Sequence, residues 1–251
     1  FVNDDVDLIF AIATPAAQSA ATETTEIPII GSAITNYVEA GLVESDEAPG
    51  SNVTGTSDKT PVKEQFDLLK EILPDVQTVG ILYNSSEVNS EIQTNYAKSA
   101  AEDLGLKYEI GTVTSTNDIS QVVQSIVGKV DAIYVPTDNT FASAMPLVAS
   151  VTDEAKIPVI CGENGMVAGG GLATLGIDYY KLGEQTGKMA AKILNGEDPA
   201  TMPIEYSDIQ DICINLDTAK TIGVTIPDTV MEKASIVIEN GEKTKDTTQI
   251  K

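Results

Sequence analysis

The sequence predicts an α/β protein built from two similar lobes, each with a parallel β-sheet. A repeat is the main observation. Val6–Phe10 leads through a Thr-Pro tip and a helical stretch to Ile27–Ile30, and Val130–Tyr134 leads through a Pro-Thr tip and a helical stretch to Ile157–Ile160. Short apolar runs alternate with helical periodicity, which indicates βαβ units. Two facing lobes of this kind are expected to form a cleft that takes a small molecule.

The predicted strands are short runs rich in β-branched and apolar residues. In chain order they are Leu8–Ala13, Ile27–Ile30, Thr78–Tyr83, Tyr108–Val113, Ala132–Val135, Pro158–Cys161 and Ile212–Leu216. The predicted helices begin at Pro15, Pro61, Val88, Asn117, Phe141 and Tyr180. Proline suits a first helical turn, where its missing N–H costs nothing. Strands and helices alternate without interruption over residues 76–163.

Glycine-rich and polar stretches divide the chain. Gly50–Thr60 and Gly169–Gly176 are predicted to cross between the lobes, and Tyr206–Leu216 to cross a third time. This places residues 1–58 and 175–203 in the first lobe and residues 59–174 and 204–227 in the second. Residues 228–251 form a C-terminal segment, and its polar end from Glu239 onward is expected to be poorly ordered.

The two copies of the repeat differ in what precedes them. A strand-helix-strand-helix run of about 50 residues precedes the second copy, whereas only Phe1–Asp5 precede the first. We therefore expect the first lobe to lack its opening strands, and the chain to be an N-terminally truncated form of a protein about 50 to 70 residues longer.

The composition excludes several classes of function. The chain has 251 residues, no histidine, no tryptophan and no arginine, and its net charge is −23. Without histidine the usual catalytic triads are absent, and without arginine there are no bidentate clamps on phosphate or carboxylate. The negative charge disfavours binding to nucleic acid and to anionic membranes. No P-loop occurs, and Ala168–Gly176 does not match a dinucleotide-binding pattern. No cofactor is predicted.

The two cysteines, Cys161 and Cys213, lie within apolar runs. They are interpreted as buried free thiols, although a disulfide would be possible if their strands were neighbours. A zinc site is not expected from two cysteines without histidine.

Polar residues follow the predicted strands, at the ends where open parallel sheets bind ligands. They lie after the strands of both lobes and at the second crossing. The candidate ligand-binding residues are Thr14, Ala16, Ser32, Thr35, Tyr83, Asn84, Glu87, Asn89, Thr137, Asp138, Asn139, Glu163, Asp178 and Tyr179.

The two sets of residues differ in chemistry. The first lobe offers hydroxyls and helix N-termini, which suit a carboxylate. The second lobe adds Asp138, Glu163 and Glu87, which suit an ammonium group, and Tyr83 and Tyr179 offer aromatic surface. Together they predict a site for an amino acid. Helix capping accounts for any one of these residues equally well. Acid–base catalysis by Asp138 with Glu163 is disfavoured because no nucleophile accompanies them.

Six stretches carry a resemblance to a known family. They are VDLIFAIATPAAQSAA (6–21), EAPGSNVTGTSD (47–58), LLKEILPDVQTVGILYN (68–84), GKVDAIYVPTDNT (128–140), IPVICGENGMV (157–167) and GIDYYKLGEQTGKMAAKILNGEDPA (176–200). The chain resembles ABC-transporter solute-binding proteins of the type I periplasmic-binding fold, and within them the tryptophan/tyrosine-type substrate-binding family.

The resemblance implies two Rossmann-like lobes joined by a three-crossing hinge that closes on an amino acid. It implies a protein that is not an enzyme and that delivers its solute to the permease of an ABC importer. The location would be extracytoplasmic, either in the periplasm or as a cell-surface lipoprotein whose export signal and lipid anchor lie outside this chain. The alternative is a ligand-sensing effector domain of a transcriptional regulator or receptor on the same fold.

Overall fold

The computed structural model describes residues 1–4, 6–207 and 210–247. Contacts divide the chain into two compact units, each assembled from two stretches of sequence. The first unit contains residues 1–59 and 177–209, and the second contains residues 60–176 and 210–251. No helix in the described stretches is long and apolar enough to cross a membrane.

The first unit is a parallel four-stranded sheet in the order β1-β2-β3-β9. Its strands are β1 (Ile9–Ile12), β2 (Ile29–Ile34), β3 (Val53–Ser57) and β9 (Glu205–Tyr206). Its helices are α1 (Thr14–Glu23) and α8 (Tyr179–Leu194), with short 3₁₀ turns at Val2–Asp4 and Pro199–Thr201. Ala17 of α1 packs with Ile9 and Ile29 on one side of the sheet, and Met189 and Ile193 of α8 pack with Ile30 on the other.

The second unit is an eight-stranded sheet in the order β5-β4-β6-β7-β8-β10-β11-β12. Its strands are β4 (Thr78–Asn84), β5 (Lys107–Val113), β6 (Ala132–Val135), β7 (Val159–Cys161), β8 (Ala173–Ile177), β10 (Gln210–Asn215), β11 (Ile236–Glu239) and β12 (Glu242–Asp246). Its helices are α2 (Val62–Ile72), α3 (Val88–Asp103), α4 (Ile119–Ile126), α5 (Asn139–Ser143), α6 (Met145–Ala155), α7 (Asn164–Ala168), α9 (Leu216–Ile222) and α10 (Asp228–Lys233). A 3₁₀ turn at Thr116–Asp118 precedes α4.

Alternating side chains of the second sheet enter two separate cores. Ala132 and Tyr134 of β6 join the core formed with α2, α3, α9 and α10. Ile133 and Val135 of the same strand join the core formed with α4, α5, α6 and α7. Successive side chains of a strand point to opposite faces, so β6 is apolar throughout because both faces are covered.

The strand order of the second sheet reverses beside β4. From β4 the chain runs outward to β5 on one side, then returns to β6 on the other side of β4 and continues through β7 to β8. In open parallel sheets the loops diverge at such a reversal and leave a crevice where ligands bind. The order therefore places the strand ends of β4 and β6 where a site is expected.

The repeat found in the sequence corresponds to matching strand pairs in the two units. Ile9 pairs with Ile29 in parallel between β1 and β2, and Ile133 pairs with Val159 in parallel between β6 and β7. The copies differ in burial: β6 is buried throughout, whereas Phe10 and Ile12 of β1 are exposed.

The stretch Gly50–Thr60, predicted to be a crossing, contains the buried strand β3, and the chain passes from the first unit to the second after residue 59. Its threonines are fully buried between β2 and β9, and Gly55 has a φ of 148°. A side chain at residue 55 would place its Cβ 2.0 Å from the carbonyl oxygen of Gly31. The polar composition that suggested a linker therefore reflects the close packing of two strand backbones.

The first unit also extends beyond residue 203, its predicted limit, because β9 pairs with β3. The predicted third crossing at Tyr206–Leu216 partly falls outside the described residues. Residues 210–215 of that stretch form β10, which pairs in parallel with β11.

The C-terminal segment differs from the expectation of a separate, poorly ordered tail. Through residue 247 it belongs to the second unit, where β11 and β12 form an antiparallel hairpin. Asn240 and Gly241 both have positive φ, as a two-residue hairpin turn of type I′ requires. The carboxylate of Asp217 accepts hydrogen bonds from both of their N–H groups, which hold its pKa below the usual value. Residues 248–251 of the predicted tail lie outside the described residues.

The two cysteines are buried and free. Cys161 lies on β7 and Cys213 on β10, and β8 separates these strands. The condition for a disulfide, that the two strands be neighbours, is not met.

Substitution of Gly55 by alanine should destabilise the protein strongly. An alanine with a φ of 148° would be strained, and its Cβ would lie 2.0 Å from the carbonyl oxygen of Gly31. Because strain and overpacking add, we expect the free energy of unfolding to fall by about 4 kcal/mol. Gly41→Ala is the matched control, since Gly41 has a φ of 70° but no atom within 4 Å of the added Cβ, and should lose only about 1 kcal/mol. Urea unfolding of both variants measures the difference, and equal losses would contradict the packing argument.

Candidate functional site

The second unit carries a polar edge at the reversal between β4 and β6, and Asp138 is at its centre. One carboxylate oxygen of Asp138 accepts from the backbone N–H of Asn84 at the end of β4, at 2.6 Å. The other accepts from the N–H of Phe141 at 2.8 Å and caps α5. Burial raises the pKa of Asp138, and these two N–H groups partly offset the rise. Asp138 therefore ties the two strand ends together.

Glu87 is the second carboxylate of this edge, and it accepts six hydrogen bonds. The donors are the N–H and Oγ1 of Thr140, the N–H and Nδ2 of Asn139, and the side-chain amides of Asn84 and Asn89. Burial alone would raise the pKa of Glu87, but the hydrogen bonds outweigh it and hold the pKa below its ordinary value. The negative charge of Glu87 is thus compensated within the unit.

Helix α3 turns a polar face inward at the same edge. Asn89 donates to the carbonyl of Thr137 at 3.1 Å, and Gln93 donates to the hydroxyl of Thr137 at 2.6 Å. The amide oxygen of Asn89 has no hydrogen-bond partner among the described residues, although the side chain is only 4% exposed. A buried acceptor without a donor is costly, so this oxygen is available to a donor on a ligand.

The remaining second-unit candidates lie in different settings. Both carboxylate oxygens of Glu163 accept from N–H groups of α7, those of Gly165 and Met166, so Glu163 is an N-cap. Tyr83 is half-buried near the end of β4. Asp138 and Glu163 each cap their own helix, which is the capping role that the sequence had left open for them.

The first unit has its own polar edge, beginning at the N-terminus of α1. Within the described stretches no side chain caps this ten-residue helix, and the preceding Ala13 has φ 70° and ψ 156°. The hydroxyl of Thr14 has no hydrogen-bond partner among the described residues, although Thr14 is only 2% exposed. Ala16, in the same turn, is exposed. An uncapped helix N-terminus with an unpaired buried hydroxyl is suited to an anion.

Ser32, on β2, belongs to a buried chain of hydroxyls. Thr186 of α8 donates to the carbonyl of Leu182 at 2.7 Å, and its oxygen lies 2.9 Å from Ser32 Oγ and 2.7 Å from Thr56 Oγ1. Thr186 has a single proton, so all three contacts are satisfied only if Ser32 and Thr56 donate to it. The Ser32 hydroxyl can therefore only accept further hydrogen bonds.

Asp58 lies at the end of β3 and completes the edge of the first unit. Its carboxylate accepts from the hydroxyl of Tyr179 at 2.9 Å and from that of Thr35 at 3.3 Å. Asp58 is 4% exposed, and burial raises its pKa. Asp178, beside Tyr179, caps α8 through the N–H groups of Tyr180 and Lys181 and lies 3.7 Å from the Lys181 ammonium.

The candidate residues thus gather on two polar edges, one in each unit. The first polar edge contains Thr14, Ala16, Ser32, Thr35, Asp178 and Tyr179, and the second contains Tyr83, Asn84, Glu87, Asn89, Thr137, Asp138, Asn139 and Glu163. Their role in binding stays a prediction. Sequence reasoning missed Asp58 because β3 was not recognised as a strand. It also missed Gln93, for which the signal was an unusually polar helix with Asn89 and Gln93 one turn apart.

A family model described as ABC transporter substrate binding protein matches residues 1–238. A tyrosine-binding protein of Clostridioides difficile (strain R20291) is 44% identical over 222 residues, which is 88% of this chain. The chain spans 64% of the length of the curated relatives that it matches.

Two solved structures are similar over nearly the whole chain. One is an ABC domain from Streptococcus pneumonia in complex with L-Trp, with 43% identity and a TM-score of 0.92 over 94% of this chain and 80% of that chain. The other is the ligand-free, open structure of CD0873, a substrate binding protein with adhesive properties from Clostridium difficile. It has 46% identity and a TM-score of 0.71 over 95% of this chain and 80% of that chain.

The fold is that of the type I periplasmic-binding proteins, which confirms the predicted fold class. The chain belongs to the family of ABC transporter substrate-binding proteins. This is a family of binding proteins, so the prediction that the chain is not an enzyme is also confirmed.

Replacement of Asp138 by alanine should lower the unfolding free energy by about 3 kcal/mol. The loss combines a helix cap, worth about 1 kcal/mol, with a buried N–H of Asn84 left unpaired, worth about 2 kcal/mol. Asp198→Ala is the control, because Asp198 also caps a helical turn but is exposed, and it should lose about 1 kcal/mol or less. Urea unfolding at neutral pH tests both, and a similar small loss in each would refute the bridging role.

Replacement of Asp58 by asparagine should change how stability depends on pH. Burial raises the folded-state pKa of Asp58. The wild type therefore loses stability as the pH rises from the unfolded-state pKa of Asp58, about 4, through the raised folded-state pKa. Asparagine does not titrate, and the variant should gain on the wild type over that range. Asp217→Asn should show the opposite trend, because the Asp217 pKa is lowered by the N–H groups of Gly241 and Asn240. Thermal unfolding across pH measures both, and parallel trends would contradict the assignment.

Proposed function

We propose that this chain is the solute-binding component of an ABC importer and that it binds an aromatic L-amino acid. The observation that carries the proposal is the N-terminus of α1, where the buried Thr14 hydroxyl has no partner in the described structure and no side chain caps the helix. Such a terminus suits the carboxylate of an amino acid. The relatives support the choice of ligand, since one is described as tyrosine-binding and one was solved with L-Trp.

The composition supports the same assignment. The chain contains no arginine, so a ligand carboxylate must be held by backbone N–H groups, hydroxyls or lysine. Backbone N–H groups with an adjacent hydroxyl are arranged in that way at Thr14 and Ala16. The unpaired amide oxygen of Asn89 offers a further acceptor on the second polar edge.

The proposal includes the setting in which the protein acts. A member of this family delivers its solute to a membrane permease, and we place this chain on the extracytoplasmic side of the membrane with such a permease as its partner.

Calorimetric titration with L-tyrosine and L-tryptophan tests the proposal on the protein at its natural length. Thr14→Val should weaken binding about tenfold or more, because the hydroxyl contributes about 1–2 kcal/mol to a charged acceptor. Thr22→Val on the same helix is the control, since Thr22 is exposed and donates to the Gln18 carbonyl, and it should leave the affinity unchanged. If neither amino acid binds the wild type, the proposed ligand class is wrong.

A further inference from the structure

We infer that Asp58 of the first unit, and not a carboxylate of the second unit, receives the ammonium group of the ligand. This inference rests on the proposed function and names the residue that would hold the cationic end. It reverses the polarity expected from the sequence, which assigned the ammonium group to Asp138, Glu163 and Glu87.

The second-unit carboxylates are already occupied. Glu87 accepts six hydrogen bonds, Asp138 joins two backbone N–H groups, and Glu163 caps α7 with both oxygens. A carboxylate whose charge is compensated by N–H donors has less to gain from a cation. Moving these oxygens toward a ligand would also expose N–H groups of the unit that they now satisfy.

Asp58 differs from them in its partners. Among the residues that the structure describes, its side chain accepts hydrogen bonds only from the hydroxyls of Thr35 and Tyr179 and from its own backbone N–H. Asp58 takes part in none of the ion pairs formed by the described residues. A carboxylate that is 4% exposed and held by neutral hydroxyls carries a charge that an ammonium group would stabilise.

The neighbouring hydroxyls have the matching polarity. The Ser32 proton is committed to Thr186, because the Thr186 proton goes to the Leu182 carbonyl. The Thr35 proton is directed to Asp58 itself. Ser32 therefore meets a ligand as an acceptor, which suits an N–H donor better than a carboxylate.

The spacing on the sheet suits an α-amino acid. The N-terminus of α1 follows β1, Asp58 follows β3, and only β2 lies between them. Two strand spacings amount to about 9.6 Å. Two hydrogen bonds of about 2.9 Å each, together with the short path from the carboxylate to the ammonium group of one amino acid, span that distance. The first polar edge can thus hold both charged ends of the same ligand.

The test compares two ligands that differ only in the ammonium group. L-Tryptophan and its deamino analogue, indolepropionate, are titrated calorimetrically into the full-length wild type, Asp58→Asn and Asp138→Asn. The wild type should prefer tryptophan by roughly 100-fold or more, as expected for a buried charge pair. Asp58→Asn should reduce that preference to within about tenfold, and Asp138→Asn should leave it within about threefold of wild type. The same comparison with Asp58→Glu, which keeps the charge but displaces it, should give an intermediate preference and serves if the asparagine variant does not fold.

Each outcome has a separate meaning. A wild-type preference that survives in both Asp58 variants overturns the inference and leaves the proposed function intact. A preference lost in Asp138→Asn alone returns the ammonium group to the second unit and also overturns it. If the wild type binds the two ligands equally, no carboxylate holds an ammonium group, and the inference fails. If the wild type binds neither tryptophan nor tyrosine, the proposed function fails and the inference falls with it.

Discussion

Buried carboxylates must be compensated by hydrogen-bond donors or cations, and the structure of both polar edges depends on which donors compensate them. The chain has 38 acidic residues against 15 lysines and has neither arginine nor histidine. The buried carboxylates of the two polar edges are accordingly satisfied by N–H and O–H donors. Asp138 draws on the backbone of β4 and α5, and Glu87 on the amides and hydroxyls around it. These bonds fix the loops at the reversal of strand order and give the second edge its shape.

Much of the fold could be predicted from the sequence. The alternation of apolar and helical stretches located the strands from β4 to β7 within one residue at either end. Three of these strands, β4, β6 and β7, are buried along most of their length and therefore stand out as apolar runs. The strand β3 was missed because threonine and glycine outweigh valine in it, and only the packing against Gly31 shows why they are needed. The hairpin at Asn240-Gly241 did have a sequence signal, but polar composition was given more weight than the turn pair.

The site was less predictable than the fold. Strand-end position alone selected the residues around the β4–β6 reversal, because parallel strands present their carboxyl ends at one edge. Position does not tell whether a side chain meets a ligand or its own backbone. Asp138, Glu163 and Asp178 each accept hydrogen bonds from the N–H groups of the helix that they cap. The hydroxyl of Thr14, in contrast, has no hydrogen-bond partner among the described residues. That distinction depends on three-dimensional contacts, and so does the direction of the protons in the chain from Ser32 to Leu182.

The uncapped start of α1 also bears on what reaches the protein. Its donors carry no formal charge, and Thr14 is only 2% exposed, so a carboxylate held there should be screened less by dissolved ions than one held by a surface lysine. At long range the net charge of −23 repels anions, while a zwitterion feels no net force. Dicarboxylic amino acids and organic acids therefore encounter the molecule less often than neutral amino acids do. The overall charge acts as a filter on the rate of encounter before any pocket contact discriminates between solutes.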